Sequence, residues 1–211
     1  MSGAQATGND YPLAHTADHA AAELLTKRII VGFGFWIFLL SDIIMFSAFF
    51  AAYAVLVNQT AGGPSGRDLF HLPYVALETA FLLLSSFTCG FASIGAWKRS
   101  DLWFHTAMAA TFVLGAAFLA LEVHEFADMI AQGAGPTRSA FLSGFFSLVG
   151  CHGLHVTLGL LWLLTMMAQV YAKGYRPDIM RRLLCFNLFW HALDIIWVGV
   201  FTVVYLMGDW Q

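Results

Sequence analysis

The stretch Gly150-Cys151-His152-Gly153-Leu154-His155-Val156-Thr157-Leu158-Gly159 sets two histidines, three glycines and a threonine inside a run of otherwise apolar residues. His152 and His155 are three residues apart, so a helix carries them on one face. The surrounding segment, residues 140 to 172, exceeds the ~20 residues a helix needs to cross about 30 Å of hydrocarbon. Polar side chains at that depth are costly and are retained for a structural or functional reason.

Working outward, four further apolar segments of spanning length lie at 29 to 57, 73 to 97, 102 to 130 and 183 to 207. Of the 211 residues, 59% are hydrophobic and only 11% charged, a balance foreign to water-soluble domains of this size. The expectation is an all-α integral membrane protein with five transmembrane helices. Residues 1–26 form a polar tail, expected to be poorly ordered, and residues 27–211 form a single transmembrane domain. The tail lacks the pattern of a cleavable signal peptide, and its His15 and His19 are read as solvated. Short joints of turn-forming residues, such as Gly-Ala-Gly-Pro-Thr-Arg at 133 to 138, leave no room for a soluble domain between spans.

Basic residues give the orientation. Lys27, Arg28, Lys98, Arg99, Lys173, Arg176, Arg181 and Arg182 fall on one side, against Arg67 and Arg138 on the other. The excess places the N-terminus in the cytoplasm and the C-terminus outside, in the periplasm. Trp97, Trp103, Tyr171 and Tyr175 then form a cytoplasmic aromatic belt, with Tyr74, Tyr205 and Trp210 at the outer edge. The three cysteines, Cys89, Cys151 and Cys185, lie in apolar segments without paired spacing and read as packing residues.

Each span carries buried polarity. Counting from the helix ends places Asp42, His152, His155, His191 and Asp194 near mid-membrane, and Glu78, Glu122 and Glu125 nearer the outer surface. Asn187, His191 and Asp194 follow an i, i+4, i+7 stripe. Such stripes are untenable against lipid and are expected to face one another. Three readings follow from the residues. They form interhelical bonds worth about 0.5 to 2 kcal/mol each, with close approach at Ser86-x-x-x-Gly90, Thr111-x-x-x-Gly115 and the glycines of 150–159. Or they hold a metal, since His152/His155, His191/Asp194 and Glu122/Glu125 each pair ligand types on a helix face, although the glutamates lie at another depth. Or Asp42, the histidines and Asp194 relay protons. A nucleophile elbow, a phosphate loop and a basic stripe for nucleic acid are all absent from the sequence.

Residues 150–159 and Phe189-Trp190-His191-Ala192-Leu193-Asp194-Ile195-Ile196-Trp197 resemble the two signature segments of subunit III of the haem-copper respiratory oxidases. Leu40-Ser41-Asp42-Ile43-Ile44-Met45-Phe46 is similar to the family's acid-bearing helix, with Asp42 one methylene shorter than the glutamate of many relatives. Glu122-Val123-His124-Glu125 resembles its paired-glutamate segment. The five-helix form, the run 53 to 64 and Met207-Gly208 look like the cytochrome bo-type ubiquinol oxidase branch.

The resemblance implies a non-catalytic accessory subunit in a proton-pumping quinol oxidase of the bacterial inner membrane. It binds no haem, copper or other metal itself; these belong to the large catalytic subunit I. Subunit II, a small subunit IV and membrane phospholipids are its other implied partners, and nucleic acid is not among them. The implied architecture is a V-shaped two-arm bundle, with the first two helices apart from the last three. Asp42 is expected to bond one of His152, His155, His191 or Asp194, and the two helix-four histidines are expected to bond across helices. The rival is a stand-alone proton or ion transporter, or a membrane metalloenzyme, using the same buried set.

Overall fold

A computed structural model describes residues 11–64, 66–69 and 72–206, leaving aside the side chains of 11–25, 27, 28, 67 and 68. The expectations for His15, His19, Lys27, Arg28, Arg67, Met207, Gly208 and Trp210 therefore lie outside the described residues. The long helices are α1 (Tyr11–Leu56), α2 (Leu72–Trp97), α3 (Asp101–Ala131), α4 (Ala140–Lys173) and α5 (Pro177–Val200), which continues as a π-helix over Phe201–Leu206. A single helical turn at Gly66–Leu69 precedes α2. Five of these are long and apolar enough to cross a membrane. Helices suit that setting because each satisfies its own backbone polar groups without water. The chain is a multi-pass, all-helical membrane protein.

Two boundaries differ from the sequence expectation. Helix α1 begins at Tyr11, so most of the presumed tail is helical. Its run from Ala14 to Leu25 is rich in alanine, and Pro12 falls in the first turn, where its missing N–H costs nothing. Helix α5 begins at Pro177 rather than 183, with proline opening the helix and Asp178 in its first turn. Hydropathy misses this turn because its charged residues are good helix formers but poor membrane residues. The other ends follow local chemistry: the Ser139 hydroxyl accepts the Leu142 N–H at 3.2 Å, and Gly174, at φ +67°, closes α4 where other residues would be strained.

The chain contains two compact units, Met1–Phe38 and Leu39–Gln211. In the second, α5 is the central element. Trp190 donates its indole N–H to Ser85 of α2 at 3.2 Å, while its ring fills the space left by Gly115 of α3 and Gly159 of α4. Seven residues on, Trp197 donates to Thr79 of α2 at 3.0 Å. Its ring lies edge-on to Phe118 of α3 at 4.6 Å and against His152 of α4 at 5.0 Å. Two tryptophans two turns apart thus tie one helix to three others, combining large buried area with a satisfied N–H.

Helices α2 and α3 form a close antiparallel hairpin, with Thr88 and Thr111 hydroxyls bonded at 2.8 Å and Trp103 and Phe104 packed on Gly95. The α1 segment from Leu39 onward packs elsewhere. Phe46 lies against His152 and His155, Phe50 faces Gly199, and Tyr53 packs on Phe141 and donates to the Val204 carbonyl at 3.4 Å. The expected grouping of the first two helices apart from the last three is therefore corrected. Helix α2 belongs with α3 and α5, because Ser85, Thr79 and Thr88 find their partners there.

The aromatic belt also needs correction at its outer edge. Tyr205 is fully buried in the bundle, whereas Trp97, Trp103 and Tyr171 are exposed as a belt requires.

Candidate functional site

The buried polar residues fall into separate stations, and they do not form one facing set. The first is acidic. Glu78 of α2 and Glu122 and Glu125 of α3 are all buried and lie near one another. The Tyr205 hydroxyl, in the π-helical turn after α5, donates to Glu125 Oε2 at 3.1 Å. Both Glu78 oxygens and Glu122 Oε2 lack hydrogen-bond partners among the described residues. Tyr74 stands beside Glu78 and Glu125, its hydroxyl likewise unpartnered. Tyr205 lies in this π-helical turn, a feature that no sequence pattern announces.

Glu122 also reaches the signature stretch. A methyl group built on Gly153 would stand 2.6 Å from Glu122 Oε1, so the carboxyl lies directly on the α4 backbone. The expectation that the glutamates sit at a different depth from the histidines is corrected for Glu122. Counting residues locates the Cα, whereas a glutamate carboxyl reaches several ångströms along the bundle.

His152 has no interhelical hydrogen bond among the described residues. It is fully buried with both ring nitrogens unpartnered. Its surroundings are aromatic: Trp197 at 5.0 Å, Phe118 at 6.0 Å and Phe46 at 6.3 Å between ring centroids. His155 turns back to its own helix, with Nδ1 2.7 Å from the Cys151 carbonyl. Both histidines therefore depart from the cross-helix bonding expected of them. Asp42, partly buried, lies near His155 and Cys151 of α4, yet makes no hydrogen bond among the described residues.

The third station joins α2 and α5. Ser86 Oγ lies 2.5 Å from His191 Nδ1 and within bonding reach of Asp194, and the Cys89 thiol donates to Asn187 Oδ1 at 3.2 Å. Ser86 and Cys89 are partners that the sequence stripe Asn187/His191/Asp194 did not disclose. For Ser86 the signal is the Ser-x-x-x-Gly pattern, read as helix packing alone, while Cys89 is read as a small packing residue. Among the described residues, no three histidine, cysteine or acidic side chains gather with the geometry to hold a metal ion.

The comparisons bear on a chain with this layout. Residues 15–209 match the family model described as cytochrome c oxidase subunit III. The chain belongs to that family. Subunit III relatives include the cytochrome bo(3) ubiquinol oxidase subunit 3 of Pseudomonas aeruginosa, 56% identical over 83% of this chain and 84% of the relative. The quinol oxidase subunit 3 of Bacillus subtilis is 42% identical over 83% of this chain and 86% of its own. The cytochrome c oxidase subunit 3 of Bacillus sp. strain PS3 is also 42% identical, over 83% and 84%. In this subunit III chain, the two signature segments supply the central packing. Gly153 and Gly159 admit Glu122 and Trp190, and Trp190, His191, Asp194 and Trp197 knit α5 to its neighbours.

Proposed function

We propose that this chain is the non-catalytic accessory subunit of a cytochrome bo-type ubiquinol oxidase in a bacterial inner membrane. The observation that carries this reading is 56% identity, over 83% of the chain, to a bo(3) ubiquinol oxidase subunit 3. The layout supports it, since the polar residues are distributed as packing and bonding stations among helices. A stand-alone transporter or metalloenzyme is less well supported: the acidic cluster and the Ser86/His191/Asp194 set have different bonding partners, and among the described residues no three histidine, cysteine or acidic side chains gather with the geometry to hold a metal ion.

In this reading, quinol oxidation, oxygen reduction and proton pumping take place in the large subunit, which holds haem and copper. This chain binds neither. It packs with that subunit, with subunit II and with a small subunit IV, and contributes to assembly and to stability during turnover. The basic residues at 98–99 and 173–182 support a cytoplasmic location for those ends and for the N-terminus, with the C-terminus in the periplasm. The exposed Trp97 and Trp103 beside Lys98 and Arg99 make that edge suitable for phospholipid head groups. Purification of a tagged chain in mild detergent tests the proposal. Haem-bearing large subunit should co-elute stoichiometrically; a tagged chain eluting without haem, or carrying iron or copper alone, would overturn it.

A further inference from the structure

We infer that the groove between α2 and α5 is the seat of a transmembrane helix from another oxidase subunit. The inference rests on the accessory-subunit reading. The groove encloses about 580 Å³ and is lined by Leu83, Ser86, Phe87, Gly90, Phe91 and Ile94 of α2 with His191 and Asp194 of α5. It follows α2 for three turns, long enough for a crossing helix.

Three observations identify the occupant. The first is the small pair Ser86-x-x-x-Gly90, a spacing that lets helix backbones approach closely in membranes. In α2, α3 and α4 other glycines are filled: Gly95, Gly115, Gly153 and Gly159 all meet Trp103, Trp190 or Glu122. A methyl group added at Gly90 meets no atom within 4 Å. Among the described residues, nothing uses the close approach it permits.

The second is Asp194, which lines the groove at 9% exposure with Oδ1 unpartnered among the described residues. It sits with His191 and Ser86 at the midpoints of their helices, where water is absent. An unsatisfied polar group at that depth is strongly unfavourable. Lipid acyl chains fill apolar walls but cannot bond a carboxyl, and phospholipid head groups do not reach mid-bilayer. A helix presenting a small-residue face and one hydrogen-bond donor level with Asp194 satisfies both features.

The third is the rim, where Phe87 and Phe91 pack edge-to-face at 4.7 Å while remaining exposed. Such a ledge suits the side of a helix. Although a quinol ring would also stack there, it would leave the small stripe of α2 unused.

The test uses the intact oxidase in native membranes. With p-benzoylphenylalanine in place of Phe87, irradiation should give an adduct between this chain and another oxidase subunit. The same probe replacing Val113, equally exposed on α3, should give little or none. In parallel, Gly90→Trp should lower one co-purifying subunit about tenfold relative to the tagged chain, while Val113→Trp leaves composition unchanged. Adducts at position 87 with lipid or quinone only, or full subunit content in the Gly90→Trp complex, would overturn the proposal. Because the unmodified tagged chain is purified alongside, failure of that chain to retain haem-bearing subunit would instead sink the accessory-subunit reading.

Discussion

Gly153 and Gly90 each stand near a buried carboxyl, yet their surroundings are opposite. At Gly153 the Glu122 carboxyl fills the space a side chain would need, and the station is sealed by Tyr205 and the surrounding aromatics. At Gly90 the space is open, and Asp194 faces a groove. A glycine in a membrane helix therefore marks a close approach without saying whether the partner belongs to the same chain. Sealed stations hold this bundle together, and the open one is available to a neighbour.

The contrast can be broken by substitution. The largest effect is expected at Trp190, which fills the space over Gly115 and Gly159 and bonds Ser85. Trp190→Ala should cost about 3 to 5 kcal/mol, read as an earlier midpoint in dodecyl sulfate unfolding of the purified complex. A loss below 1 kcal/mol would mean that α5 is not the central tie described above.

Gly153→Ala should cost about 1 to 3 kcal/mol, since the methyl collides with Glu122 Oε1. Shortening the acid in a Gly153→Ala/Glu122→Asp pair should return part of that stability. No recovery in the double mutant would argue that the collision is relieved elsewhere. Tyr205→Phe removes the hydroxyl donated to Glu125 and is expected to cost about 0.6 to 1.7 kcal/mol. In infrared spectra of the complex, the Glu125 carboxyl band should shift in this variant and stay fixed in Tyr53→Phe, whose hydroxyl bonds a backbone carbonyl.

Gly90→Ala is expected to have the smallest effect on the chain's own fold, within about 0.5 kcal/mol. If it destabilised the isolated chain as much as Gly153→Ala, the distinction between open and sealed stations would fail.

Much of this was legible before any coordinates. Five apolar runs of spanning length require five helices, because the bilayer forbids most other backbone arrangements. The pattern of His152, Glu122 and Asp194 inside those runs marked positions kept for a reason, and two signature segments identified the family. Hydropathy could not place the start of α5, since Asp178, Arg181 and Arg182 are helical without being apolar. It could not register the helix running back to Tyr11 for the same reason.

Sequence by itself determined the helices, the family and which polar residues matter, since these depend on composition, period and local pattern. Only the tertiary structure decided which polar residues meet. Helical spacing assigns a residue to a face, but helix rotation and side-chain reach determine what lies opposite. Thus His152 found aromatic rings where a hydrogen-bond partner was expected, and Glu122 reached Gly153 from what had seemed another depth. Gly90, with the same small-residue signal as its filled counterparts, was left facing outward.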